Sequence, residues 1–510
     1  MKLLKELVDI VTRQRVEKVN IIDIKELEDQ QSQYAKFYNA LRTGDLKSDQ
    51  DAAAFFYDSD TSDDRYRKLK SRFKKRLLNY LFFLDINKSS YSDYYHASHT
   101  SYKNLLLCRI LKANGARFSF EKLAKQTLTQ AQKYNLNSTI VPLTSDLLTH
   151  YSLRGRLKEY NQTRKIHEEA KKELDAEYQA ERYMEDTIVH VMRSLSYTKL
   201  APIAKESTKN LQALAAEYPH NYRVQYLRYY TQAIYYQIIF DFPKLIDTCN
   251  AAEAFYENNP TFYQKSHLGQ FSLMRMVALL NLRDTENGLK AIKKSLKYFA
   301  EGNNNWLLTM ESYFLLAMQA QRYTLASDIF LQAVNHQKFK YTSDIRKEKW
   351  RIFHAYLHYI FDVEKLDKRL LKNKYIPNFN ATQFLNNTAH ASKDKSGWNM
   401  AIITLQIQYL LKNHELDAVF DKMDALNIYA YRYLNKKENA RAYTYIKMLQ
   451  SAEKKSFIHK YAEQDTREQH QSLFTATDLY SAEWEILPYE VMWEHALQFM
   501  KEAEEMAGVV

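Results

Sequence analysis

A chain of 510 residues with 73 Lys and Arg against 61 Asp and Glu carries a net charge of +12, and 45% of its residues are hydrophobic, which supports packed cores rather than disorder. Only 8 glycines and 7 prolines occur, too few for strand-rich folds that need turn residues at roughly 8–12-residue spacing, so sandwiches, barrels and propellers are excluded. The glycines (Gly44, Gly115, Gly155, Gly269, Gly288, Gly302, Gly397 and Gly508) come no closer than 14 positions, so they cannot build a phosphate-cradling GxGxxG, a Walker A loop or a nucleophile elbow.

Residues 1–95 read as a basic helical N-terminal domain. An amphipathic helix is expected over 1–16 and a second over 24–41, ending before Gly44. Ser48 is placed to cap a short third helix. The polar turn DSDTSDD follows, and then a helix over 64–84 whose Tyr66, Leu69, Phe73, Leu77 and Leu81 fall on one face. Between Thr61 and Tyr80, eight basic residues stand against two acidic ones, a net of +6. Arg65, Lys68, Arg72, Lys75 and Arg76 lie on the flank away from the apolar face, a surface suited to an acidic partner or to nucleic acid. The Ser- and Tyr-rich stretch Asn87 to Ser101 reads as a boundary. Lys5, Glu6 and Asp9 interrupt what would be the apolar part of a secretory leader. The most apolar uncharged window, Ser396 to Leu411, is 16 residues long, short of the roughly 20 that a membrane span needs. Cys108 and Cys249 stand far apart in apolar helical sequence, as expected of small core residues in a reducing compartment, so a cytoplasmic location is expected.

Residues 96–450 read as repeats. Helices of about 15–20 residues alternate with short breaks, and every second one carries small or medium-sized residues at spacing 4 then 3. The clearest instance is Tyr323-x2-Ala326-x3-Phe330-x2-Ala333. Tyr160, Thr163, His167 and Ala170 follow the same pattern, as do Phe242, Leu245, Cys249 and Ala252, and Gly288, Ile292 and Ser295. The leading positions are 124, 163, 207, 245, 288 and 326, separated by 38 to 44 residues. Residues at i, i+4 and i+7 share a helical face, and small ones let a neighbouring helix approach closely. One helix pair cannot bury its apolar stripe alone, so pairs stack.

On these residues, best at Tyr323, Ala326, Phe330 and Ala333, the chain resembles the tetratricopeptide-repeat family, with repeats longer than that family's roughly 34 residues. The resemblance implies an all-α, right-handed α-solenoid of helical hairpins whose first helices line a groove for peptides or partner proteins. Tyrosine is abundant, at 40 of 510, and the run from Asn221 to Gln237 is the richest. Arg223, Tyr226 and Tyr230 share one stripe of what would be a first helix, so they are the candidate groove residues.

Residues 451–510 read as an acidic helical C-terminal cap. From Glu463 onward, eleven acidic residues stand against Arg467 and Lys501. Trp484, Tyr489, Trp493 and Phe499 would close the core of the last repeat, the alternative being a docking surface for a second copy. No catalytic residue, cofactor or metal site emerges. His354 and His358 are four apart on one helix but lack the HExxH glutamate, and Glu173, Glu177, Glu181 and Glu185 are interleaved with basic residues as on a solvated face. The expected function is a non-enzymatic scaffold or adaptor that binds another protein or peptide. The alternative is a nucleic-acid-associated regulator in which residues 48–84 form a helix-turn-helix-like unit beside a repeat-built sensor.

Overall fold

Helix ends decide where this chain turns, and several N-termini are secured by short polar side chains, among them Ser32, Ser48, Asp63, Ser92 and Asn221. The computed structural model describes residues 6–7, 32–82, 92–193, 197–386, 398–434, 439–475 and 483–506. These contain 21 α-helices and no strand, and they divide into two compact units, Met1–Leu174 and Asp175–Val510. The fold is all-α, with consecutive helices packed as adjacent pairs. No described helix is long and apolar enough to cross a membrane.

The first unit opens with three short helices. Helix α1 (Gln33–Thr43) is capped by Ser32 and closed by Gly44 at φ 82°, a left-handed turn that glycine adopts without a Cβ penalty. Helix α2 (Asp49–Tyr57) begins with a capping box in which Ser48 and Asp51 satisfy each other's backbone N–H groups. Helix α3 (Asp64–Leu81) is capped by Asp63. Phe37 stacks on Phe73 with ring centroids 4.8 Å apart, and Ala52, Ala53, Tyr66 and Leu69 complete a small core. The helix expected over 1–16 and the start of that over 24–41 lie outside the described residues, apart from Glu6 and Leu7.

Helices α4 (Asp93–Ala113), α5 (Arg117–Lys133), α6 (Asn137–Ser152) and the first half of α7 (Leu157–Met192) build a second core in this unit around Cys108, Phe120, Ala124, Leu143 and Tyr151. Helix α4 starts inside the stretch read as a linker, because Ser92 caps it by accepting from Tyr95 N at 3.3 Å. The N-terminus of α5 has no cap of its own. Glu6 supplies one from the far end of the unit, accepting from Ser119 N at 2.8 Å and Phe118 N at 3.3 Å.

The second unit contains the remainder of α7, then α8 (Tyr197–Glu217), α9 (Tyr222–Ile238), α10 (Phe242–Asn258), α11 (Lys265–Asn281), α12 (Thr285–Ser295), α13 (Asn304–Gln319), α14 (Tyr323–Val334), α15 (Asp344–Val363), α16 (Ala381–Asn386), α17 (Trp398–Lys412), α18 (Leu416–Tyr433), α19 (Ala440–Lys454), α20 (His459–Thr475) and α21 (Tyr489–Met506). Neighbours in sequence pack together, and alternate helices touch as well: α9 with α11, α11 with α13, α15 with α17. The small residues sit where the spacing places them. Ala326, Ala333, Cys249 and Ala252 are fully buried. A Cβ on Gly288 would come within 2.7 Å of Leu316, so α12 and α13 meet at that glycine. The Asn-rich stretch from Tyr375 holds the six-residue α16.

Five hairpin turns of the second unit share one device. Phe240, Arg283, Gln321, Lys365 and His414 all have φ between 54° and 61°. In each case the next residue's N–H reaches back to a carbonyl five positions earlier, as from Asp241 to Tyr236 at 2.9 Å and from Arg322 to Ala317 at 2.9 Å. This is the Schellman closure, which satisfies orphan carbonyls at a helix end.

Candidate functional site

Of the two surfaces singled out in the sequence, the basic one lies on α3. Its buried face carries Tyr66, Leu69 and Phe73, so the cations are left on the outer side. Several of these are engaged with the protein itself. Arg65 pairs with the capping Asp63 at 2.8 Å and lies 4.9 Å above the Tyr57 ring. Arg67 pairs with Asp64 at 2.5 Å, and Lys70 with Asp49 at 2.6 Å. The hydrogen bond from Lys70 holds the Asp49 carboxyl below the ordinary aspartate range. Arg76 stacks 4.0 Å from the Tyr34 ring centroid. Lys68, Arg72 and Lys75 are exposed. Of the five candidates, Arg65 and Arg76 brace α1–α3, while Lys68 and Arg72 present charge to solvent.

The second surface crosses three helices of the second unit. Asn221 caps α9 and donates to Glu177 at 3.2 Å. Two residues on, Arg223 donates to Glu181 of α7 at 3.0 and 3.1 Å. Tyr226 stacks on His267 of α11 at 3.7 Å and meets Phe271 edge-on. Tyr230 lies 5.8 Å from Tyr226, and its hydroxyl accepts from Gln270 at 3.3 Å. Burial raises the Tyr226 hydroxyl to about 12 and lowers His267 to about 3, so both are neutral near pH 7. Arg223 is the exposed member of the trio. Tyr226 and Tyr230 are half-buried and pack against the core between α9 and α11.

A third constellation surrounds the C-terminal segment and was missed in the sequence. Helix α21 packs against α17, α19 and α20. Arg441, only 1% exposed, holds Glu485 at 2.6 Å and Glu490 at 2.6 Å and donates to the Leu473 carbonyl at 2.7 Å. Arg283 reaches the same Glu490 and the same carbonyl. Lys349 bridges Glu311 at 2.9 Å and Glu483 at 3.2 Å, with its ammonium 4.7 Å from the Trp398 ring centroid. Gln408 donates to the Met492 carbonyl at 2.9 Å, and Tyr359 lies 3.1 Å from His495 Nδ1. Tyr489, Trp493 and Phe499 are buried inside this unit, turned to the core rather than to a second copy. The acidic excess after Glu463 was the available signal, because buried carboxylates call for buried cations. It did not say that Arg283 and Arg441 would supply them.

The remaining chemistry is quiet. His354 and His358 lie with Nε2 atoms 3.2 Å apart, and burial lowers them to about 3 and about 4, so the two neutral rings share a hydrogen bond. Among the described residues no group of three metal-binding side chains comes together. Cys108 and Cys249 are buried thiols without a disulfide, raised to about 12 by desolvation. Compared with known proteins, the chain matches no family model, no curated protein and no solved structure.

Proposed function

We propose that the protein is a non-enzymatic scaffold or adaptor of the cytoplasm, built on tetratricopeptide-like hairpins, that binds a partner protein or peptide along the row running from α7 through α9 to α11. The observation that carries this reading is the continuity of that row. Glu181, Arg223, Tyr226, His267, Tyr230 and Gln270 are linked side chain to side chain across three helices. A stack of hairpins repeats its surface at a fixed pitch and so offers an extended ligand several contacts of one kind. Tyrosine and arginine suit that role, having a broad apolar body and a hydrogen-bonding tip.

The test separates binding from packing. Partners recovered with the full chain are identified by mass spectrometry, and their affinities are then measured against Arg223→Ala and Tyr230→Ala. Arg223→Ala is expected to weaken binding by about 1 kcal/mol or more with its melting temperature unchanged. Tyr226→Ala, by contrast, should lower stability by about 2–3 kcal/mol, since it removes a packed ring. Full affinity in the Arg223 and Tyr230 variants would remove this row from the binding surface.

A further inference from the structure

The scaffold reading leaves the outer face of α3 unused. We propose that α3 is a duplex-DNA-binding helix that lies in the major groove, with Lys68, Arg72, Lys74 and Lys75 neutralising phosphates on the groove walls.

Three observations lead there. The first is how the cations are arranged. Lys68, Arg72 and Lys75 follow i, i+4, i+7 and form one row. Arg67, Ser71 and Lys74 follow the same spacing beside it, and all six residues are exposed. The second is what has happened to nearby negative charge. Asp63, Asp64 and Asp49, which would repel a phosphate, are paired with Arg65, Arg67 and Lys70. The third is the backing. Tyr66, Leu69 and Phe73 fix one side of α3 against α1 and α2 and leave the other side open. A helix about 10–12 Å across fits a major groove about 12 Å wide.

The residue types decide between classes of partner. Protein interfaces concentrate aromatic side chains at their centre and are depleted of lysine. The outer face over residues 67–75 holds Arg, Lys and Ser, the set that contacts phosphate, and exposed Leu78 ends the row beyond Lys74. Single strands are held by stacking on aromatic rings, and this face has none. Double-stranded RNA presents a major groove too narrow for a helix.

The test uses the full chain and a fluorescent DNA duplex of about 20 base pairs, read by anisotropy at about 50 mM salt and then at rising salt. Binding is expected, with an affinity that falls steeply as salt increases. Lys68→Glu, Arg72→Glu and Lys75→Glu combined should weaken it at least about tenfold and reduce the slope of log K against log salt by about three, near one for each phosphate no longer neutralised. The corresponding triple glutamine variant guards against a folding defect in the first, and circular dichroism checks both. An RNA duplex of the same sequence and poly-glutamate serve as competitors. No binding of DNA by the wild type would overturn the proposal, as would unchanged affinity in a folded triple variant. Competition by poly-glutamate at equal charge as strong as that by unlabelled DNA would instead assign the face to acidic protein. The variants lie outside the α7–α11 row, so this result and the scaffold test fail independently.

Discussion

At the scale of single residues, close packing is set by a few small side chains. Ala326 and Ala333 have no exposed surface, and Phe330 between them stacks on His354 at 5.0 Å. Ala326→Leu adds three carbons where α14 has no space, and the expected cost is about 1–3 kcal/mol of stability. Urea unfolding measures it, and an unchanged midpoint would place the seam elsewhere. This residue-scale pattern was legible, because an alanine that permits close approach recurs at a helical period. Arg441 was not. An arginine in a mixed helix gives no sign that Glu485 and Glu490, more than forty positions later, will fold around it. The groove candidates fell between these cases. Helical spacing put Arg223, Tyr226 and Tyr230 on one stripe, but the partner helix that takes up Tyr226 comes through His267, which nothing local announces.

At the scale of elements, the hairpin turns explain why repeat boundaries were hard to read. Glycine is the usual residue at a left-handed helix terminus, yet Phe240, Arg283, Gln321, Lys365 and His414 occupy those positions here. Each non-glycine residue in that conformation costs roughly 1–2 kcal/mol. These five turns thus close without the residue that marks the ends of α4 and α6, where Gly115 and Gly155 take the left-handed position. Gln321, exposed at φ 57°, gives a clean test. Gln321→Gly relieves the strain but adds unfolded-chain entropy worth about 0.5–1 kcal/mol, so a net gain of up to about 1 kcal/mol is expected. Gln321→Val, β-branched, should lose about 1 kcal/mol or more. Thermal melts of the pair check the order, and a glycine variant less stable than the valine one would contradict it. The helices themselves were legible where the apolar period was clear, as along α3, or where a cap stood out, as at Ser48.

At the scale of the molecule, the second unit buries several histidines in the neutral state. Burial lowers His267 and His354 to about 3, and His358 and His495 to about 4. As pH falls below about 6.5, the unfolded chain takes up these protons first, so stability is complete above that pH and declines toward the folded values. His495 is 8% exposed, and its share of the loss at pH 5 is about 2 kcal/mol. His495→Gln, which can still hydrogen-bond to Tyr359, should therefore narrow the gap between unfolding free energies at pH 7 and pH 5. Equal gaps in the two proteins would show that His495 titrates normally. An all-α class could be read from glycine scarcity and stripe period, whereas this pH response depends on burial that only the assembled core creates.

The seating of α21 has a consequence for how the protein is made. Glu490 meets Arg283 across 207 positions and His495 meets Tyr359 across 136. At synthesis rates of about 5–20 residues per second, Arg283 emerges roughly 10–40 seconds before its carboxylate exists. As that interval runs, the faces of α17, α19 and α20 that α21 will cover emerge one after another on the nascent chain. The second unit thus acquires α21 after most of its described core has been made. In that window, occupation of those faces by a chaperone would keep nascent copies from associating through them.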